Sequence, residues 1–487
     1  MSNADTKILK LLPEKNAFRK MLNITVFIFF LYILEAVTTV FISVWLSQTF
    51  KLAAYLSVIL SFAVLLLIVS TDIDSCSKLT WSIAIILIPF AGAGFCLYSL
   101  YKVKSLEKRC QLKNKTKSFP QYPGCYVEYF PCGAQLWQAI LKEIDSAKHY
   151  IFLEYFIVEE GKMWGSILSL LAEKAQNGVE VRLLYDGNCE LALLPHDYPQ
   201  RLAALGIKCK VFSRYHPLFS VKYNFRDHRK IFIVDGKIAF TGGINLADVY
   251  IDHNYTEGHW KDTAVAVKGK CVDSFIKMFL DMWNYDAPNN TEYARYYTDH
   301  QIYAYNGTVS PFGCDPFDGI KASVNAYSEM LNNAKKYIHI MTPFLVPGEG
   351  LLNALKRTAK SGVEIIIIMS GIPDNKLMQT ISETYYKELM KCGIKIYRYT
   401  KGVIHAKMFI CDDVKAIVGS INLDYRSLYH NYECGVYMYN SKCIADIEAD
   451  FQRTLKVSAL AEEKDINGGK PLTKIIGASL RLVSPLL

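Results

Sequence analysis

Apolar residues in the first hundred positions gather into three long blocks, at 21–46, about 52–70 and about 79–101, separated by short polar stretches. At about 1.5 Å per helical residue, each block can cross a hydrocarbon core roughly 30 Å thick. The pattern therefore predicts N-terminal transmembrane helices. The first block is too long for a signal-peptide core and lacks a small-residue cleavage site. It is also the least regular, because Glu35, Thr38, Thr39 and Ser43 fall inside it; Glu35 reads as a packing feature facing another helix. Lysines and arginines precede the first block (Lys7 to Lys20) and follow the third (Lys102 to Lys117). Both clusters favour the cytoplasmic side, yet three full spans would part them. A two-span hairpin with an extra interfacial or spanning first helix, and the remainder of the chain in the cytoplasm, is the expected layout.

From about residue 118 the pattern changes to short apolar strands alternating with amphipathic helices. ILKEIDSAKHYIFLEYFIVEE leads through a helical stretch to NGVEVRLLYDG, and YSEMLNNAKKYIHIMTPFLV leads through another to SGVEIIIIMSG. Helix, strand, helix, strand thus recurs at a spacing of about 185 residues, an internal duplication. It predicts an α/β fold of two duplicated lobes, each a mixed, parallel-rich sheet flanked by helices. The expected boundaries are 1–117 for the membrane region, 118–300 for the first lobe and 301–487 for the second. The last stretch, with Leu472, Ile476, Leu480 and Val483 on one helical face and Lys474 and Arg481 on another, suits either docking on a membrane surface or packing on the core.

Composition narrows the class. Half of the 487 residues are hydrophobic, and the net charge of +9 points to an anionic partner, either an acidic lipid surface or nucleic acid. The 13 cysteines are an odd set without a C-x-x-C pair or metal-ligand spacing, which reads as reduced thiols in a cytoplasmic domain.

The chemistry is carried by two copies of one gapped pattern. HAKMFICDDVKAIVGSIN places His405, Lys407, Asp412, Gly419, Ser420 and Asn422 as H-x-K-x4-D-x6-G-S-x-N. HRKIFIVDGKIAFTGGIN places His228, Lys230, Asp235, Gly242 and Asn245 in the same order. In a strand, the histidine and lysine of H-x-K project to one side. An imidazole can act as nucleophile or proton carrier, while an ammonium and an amide can hold the non-bridging oxygens of a phosphate. Two such sets put two imidazoles on opposite sides of one phosphodiester, one to attack and one to protonate the leaving oxygen. Glu154, in the otherwise apolar IFLEYF, is a buried carboxylate that needs a partner; it would either orient a histidine or form a structural ion pair.

These paired motifs resemble the phospholipase D superfamily. The tails GSINLDYRSLYHNYE and GGINLADVY, the NFRDHRK lead-in, the hydrophobic N-terminus and the LRLVSPLL ending resemble bacterial cardiolipin synthases. One departure is Gly243, which stands where the fuller pattern has serine, leaving Ser420 as the only hydroxyl of the pair. The resemblance implies one active site shared by both lobes, with His228, Lys230, Asp235, His405, Lys407 and Asp412 as the catalytic motif residues. It gives Asp235 and Asp412 a supporting, hydrogen-bonding part. Asn245, Ser420 and Asn422 would hold substrate phosphate, and Glu433, in the family-like tail, would hydrogen-bond one imidazole. It further implies a multi-pass protein of the bacterial cell membrane, compatible with a homo-oligomer, with phosphatidylglycerol as substrate and no nucleic-acid partner.

The activity so implied condenses two phosphatidylglycerol molecules to cardiolipin and glycerol, with His228 attacking phosphorus and His405 as acid and base. No cofactor and no metal are called for, since no carboxylate cluster has ligand spacing. Competing readings are another phosphatidyltransferase or phospholipase with the same histidines, a membrane-tethered nuclease, and a lipid-binding scaffold with a decayed site. The intact His-Lys pairs speak against decay.

Overall fold

The computed structural model describes residues 51–111, except 72 and 74, and residues 120–462, with gaps at 216–224, 254–257, 286–292, 305–306 and 318–320, besides a few isolated positions. The expected span at 21–46, with Glu35, and the C-terminal amphipathic stretch lie almost wholly outside the described residues. Two compact units separate by their contacts, the described N-terminal helices in one and the α/β region in the other.

The N-terminal unit consists of helices Lys51–Ser70, Ser75–Leu87 and Pro89–Gln111. They close on a small core of Val64, Ile68, Ile85, Ala93 and Cys96. The apolar block expected as one span at 79–101 is two helices. Pro89 lacks the N–H that would continue the preceding helix and takes the first position of the next; its carbonyl accepts from Ser61 Oγ at 2.8 Å. Charged Lys102, Lys104, Lys108 and Arg109 occupy the last turns of the helix after the break. Among the described residues no helix is long and apolar enough to cross a membrane.

The α/β unit contains two sheets with the same strand order. In the first half, Tyr126–Phe130, Ala264–Lys268, Ile238–Gly242, Lys230–Val234, Tyr150–Tyr155, Glu180–Asp186 and Lys208–Phe212 lie side by side. In the second, the same sequence of neighbours is Thr308–Cys314, Glu433–Tyr439, Lys415–Gly419, Met408–Cys411, Tyr337–Met341, Glu364–Ser370 and Lys395–Tyr399, with Tyr122–Pro123 and Ser458–Leu460 added at the edges. Helices such as Lys162–Gln176 and Val272–Trp283 cover the faces. Strands such as KIFIV and MFIC are consequently buried throughout, as β-branched and aromatic runs sealed on both faces are. The described cysteines are unpaired.

Only three strands of each half run parallel. The H-x-K strands run antiparallel to their neighbours on both sides, so the sheets are less parallel than the helix–strand alternation suggests. The cause is the turn that follows each motif. Asp235-Gly236 and Asp412-Asp413 have positive φ at both central positions, the geometry that folds a right-twisted strand straight back as a hairpin.

The halves are joined by backbone. His259–Lys261 of the first pairs in parallel with Gly402–Ile404 of the second, and Asp227 bridges to Tyr432. At Gly402 a Cβ would stand 2.2 Å from the His259 carbonyl oxygen, so only glycine lets the chains approach this closely.

Candidate active site

Each motif histidine is held by the half of the molecule it does not belong to. The backbone N–H of His228 donates to the Tyr432 carbonyl at 2.9 Å, and that of His405 to the Lys261 carbonyl at 2.7 Å. The side chains repeat the exchange. His228 Nδ1 lies 2.9 and 3.0 Å from the two carboxylate oxygens of Glu433. His405 Nδ1 lies 2.6 Å from Asp262 Oδ2. An imidazole that donates its Nδ1–H to a carboxylate carries its lone pair on Nε2, the tautomer that can attack or accept a proton.

Lys230 and Lys407 behave alike. Each ammonium folds back onto the carbonyl of its own histidine, Lys230 Nζ at 2.5 Å from the His228 oxygen and Lys407 on that of His405. Lys407 Nζ also lies 2.8 Å from His405 Nδ1; with that nitrogen committed to Asp262, its influence on the ring is electrostatic. Phe156 meets the His228 ring edge-on at 4.9 Å. Tyr250 and Trp260 flank the His405 ring at 5.5 and 5.4 Å.

Burial sets the charges of this group. It lowers the His228 pKa to about 4 against the opposing pull of Glu433, and lowers that of His405, helped by Lys407 and opposed by Asp262. Burial likewise brings Lys230 down to about 7 and Lys407 to about 8. Two neutral imidazoles and two ammonium groups that readily shed a proton stand beside the Glu433 and Asp262 carboxylates, and a phosphodiester brought against the lysines would favour their charged form. Among the described residues no group of His, Cys, Asp or Glu is arranged to hold a metal ion. The cationic groups at hand are the two lysines.

The other candidates divide. Asn422 is buried beside the second motif with Oδ1 unpartnered. Asn245 is engaged already: its Oδ1 accepts from the Ile157 N–H at 3.1 Å and its Nδ2 donates to the Tyr250 hydroxyl at 2.6 Å. Ser420, expected on the phosphate, is fully buried and donates its hydroxyl to Glu433, while accepting from the Cys434 N–H at 3.0 Å. It supports the carboxylate that supports His228. Asp235 and Asp412 do not reach the histidines. Asp235 accepts from the N–H groups of Lys148, His149 and Tyr150, and Asp412 from those of Lys335, Lys336 and Tyr337. Each sits at the far end of its strand, on the order of 15 Å from the motif lysine at about 3.3 Å per residue, and pins the start of the neighbouring strand. Glu154 contacts no histidine; its Oε1 pairs with Arg229 Nη1 at 3.7 Å, and burial with the Asp227 carboxyl nearby holds its pKa well above the usual carboxylate range.

Asp262 went unnoticed in the sequence although a signal was there. Gly242 pairs with Ala264, and Gly419 with Gly435, so Asp262 and Glu433 are equivalent, each two residues before the paired position. Their surroundings, HWKDTAV at 259–265 and HNYECGV at 430–436, share H-x-x-acid-x-small-Val. Unequal insertions after the two asparagines hide the match. The same carboxylate explains the departure at Gly243, where a Cβ would stand 2.1 Å from Asp262 Oδ1.

Comparison with known proteins gives matches along most of the chain. Residues 140–283 and 327–455 match the family described as "Cardiolipin synthase, PLD-like domain". An uncharacterized protein of Streptococcus mutans is 43% identical over 87% of this chain and 99% of its own length. Cardiolipin synthases of Clostridium perfringens and of a Geobacillus strain are each 33% identical, over 74% and 73% of this chain and 76% and 71% of theirs. A crystal structure of phosphatidylserine synthase from Haemophilus influenzae superposes with a TM-score of 0.60 at 15% identity, covering 78% of this chain and 99% of that one. At that identity the likeness speaks for the fold alone.

Proposed function

The chain belongs to the cardiolipin synthase family with phospholipase D-like domains and is a phosphatidyltransferase, and on that premise we propose that it condenses two phosphatidylglycerol molecules to cardiolipin and glycerol through a phosphohistidine. The observation that carries this reading is the reciprocal exchange of carboxylates, Glu433 to His228 and Asp262 to His405, which equips two imidazoles alike around one phosphate.

His228 Nε2 attacks phosphorus, the bond to the glycerol oxygen breaks, and His405 gives that oxygen a proton. The phosphodiester's negative charge offsets the burial that depresses His405, and Asp262 at 2.6 Å favours the imidazolium. The terminal hydroxyl of a second phosphatidylglycerol then attacks phosphorus. His405 takes its proton, the P–N bond breaks, and the lone pair returns to His228. Lys230 and Lys407 leave their carbonyls for the equatorial oxygens, with Asn422 and Asn245 beside them.

Transfer instead of hydrolysis requires an acceptor lipid that outcompetes water. Seating the chain in the bacterial membrane, with the α/β unit on the cytoplasmic side, confines enzyme and acceptor to one surface. The exposed apolar residues of helix Lys51–Ser70, among them Leu56, Ile59, Phe62 and Leu66, support such seating, as do the basic residues at the end of helix Pro89–Gln111.

The test uses purified protein in detergent with phosphatidylglycerol as sole lipid and a chelator present, beside His228→Ala and His405→Ala. Cardiolipin and glycerol from wild type alone support the proposal. Phosphatidic acid without cardiolipin would make the protein a hydrolase, and no lipid turnover would remove the reading altogether.

A further inference from the structure

The residue between His228 and Lys230 is Arg229, and its guanidinium points away from the phosphate pocket into the seam between the halves. Nε donates to the Glu433 carbonyl at 3.2 Å and Nη2 to the Cys314 carbonyl at 3.2 Å. These two acceptors face each other in the register of neighbouring strands of the second half. Two buried carboxyls of its own half face the cation, Glu154 Oε1 at 3.7 Å and Asp227, whose Oδ1 also accepts from the Arg229 N–H at 3.2 Å. Gly313 leaves it room: a Cβ there would stand 3.2 Å from Nη2.

The second half has no such device. Ala406 stands where Arg229 does, one residue after the motif histidine. Glu154 pairs with Ile231, three residues after His228, and Met341 with Met408, three residues after His405, so Met341 takes the place of Glu154. One half has a buried ion pair where the other has alanine and methionine.

We propose that Arg229 is a positioning residue that grips the main chain of Glu433 across the seam and thereby sets that carboxylate on His228 Nδ1, with the Glu154 and Asp227 carboxyls sharing its charge. Glu433 is thus located at both ends, its carbonyl by Arg229 and its carboxylate by His228, Ser420 and Asn431. This rests on the catalytic part given above to His228, but the geometry is open to measurement without any turnover.

Arg229→Ala alone leaves the Glu154 and Asp227 carboxyls buried together without their cation and is expected to lower the melting temperature sharply. The informative protein is Arg229→Ala/Glu154→Met, which installs in the first half the pair the second half already has. It removes the guanidinium together with Glu154, and Asp227, whose pKa burial raises to about 7, can take a proton in the absence of the cation, so the melting temperature is expected within a few degrees of wild type. In wild type, the Nδ1 proton of a histidine hydrogen-bonded to a carboxylate resonates far downfield; the His228 signal is the one missing from His228→Ala. Proton NMR of the full chain in detergent is expected to show that signal lost or broadened in the double variant while the His405 signal remains, with cardiolipin formation down at least ~10-fold. A folded double variant that keeps the His228 signal would overturn the positioning role whether or not the protein turns over lipid. Loss of both histidine signals would also overturn it, because the effect would then be general loosening. If wild type shows both signals but no lipid turnover, the transferase reading fails and the positioning role still stands or falls on the double variant.

Discussion

Asp262, in the first half, holds the imidazole of His405, in the second, at 2.6 Å. A neutral amide in its place could not favour the imidazolium and would leave the ring tautomer undetermined. Asp262→Asn and Glu433→Gln are each expected to lower cardiolipin formation by ~100-fold or more, the lower end of what positioned acid–base groups contribute. If the melting temperatures stay close to wild type and rates do too, the carboxylates play no part in turnover.

Restoring the serine of the fuller pattern is expected to do harm. A Cβ at Gly243 would stand 2.1 Å from Asp262 Oδ1, so Gly243→Ser must push the carboxylate off His405. A displacement of about 1 Å costs on the order of 100-fold. The rate with phosphatidylglycerol checks this, and a gain in activity would refute it.

Substrate affinity should fall on the alkaline side. Burial disfavours the charge of Lys230 and Lys407 and brings their pKa values down to about 7 and about 8. Binding a phosphodiester restores that charge, so binding takes up protons. Above about pH 8 the apparent dissociation constant is expected to rise about tenfold per unit for each proton taken up. Binding of a non-hydrolysable phosphatidylglycerol analogue between pH 6 and 9 measures it; a flat profile would mean the lysines stay charged throughout.

Asp235→Ala and Asp412→Ala should separate folding from chemistry. Each removes a carboxylate that accepts from three backbone N–H groups. The expected loss is about 2–4 kcal/mol of unfolding free energy. Turnover per folded molecule should change by less than about threefold, since the strand between turn and lysine is about 15 Å long. Denaturant titration and active-site counting together decide it.

The paired H-x-K patterns and the duplicated helix–strand order were legible because they depend on local spacing and on periodicity, both written directly in the chain. What was hidden depends on pairing across the fold. Asp262 could be matched to Glu433 only after strand register removed the unequal insertions between them. The antiparallel course of the motif strands follows from positive φ at Asp235-Gly236 and Asp412-Asp413; Asp-Gly is a strong signal for such a turn and went unread, whereas Asp-Asp suggests it only weakly. Glu154 was expected to be a buried carboxylate in need of a partner, and of its two alternatives the ion pair is the one seen; Ser420 was expected on the phosphate, and sequence could not say that the Glu433 carboxylate takes its hydroxyl. The interruption at Pro89 was readable in principle; the apolar run around it masked a residue that cannot continue a helix.

The exchange of carboxylates also imposes an order in time. His228 leaves the ribosome 205 residues before Glu433, a delay of roughly 10–40 s at about 5–20 residues per second. Throughout that interval the first histidine lacks its carboxylate, and for most of it His405 has not yet been made. The chemistry proposed for the pair therefore cannot begin until both halves have been made and have exchanged their carboxylates.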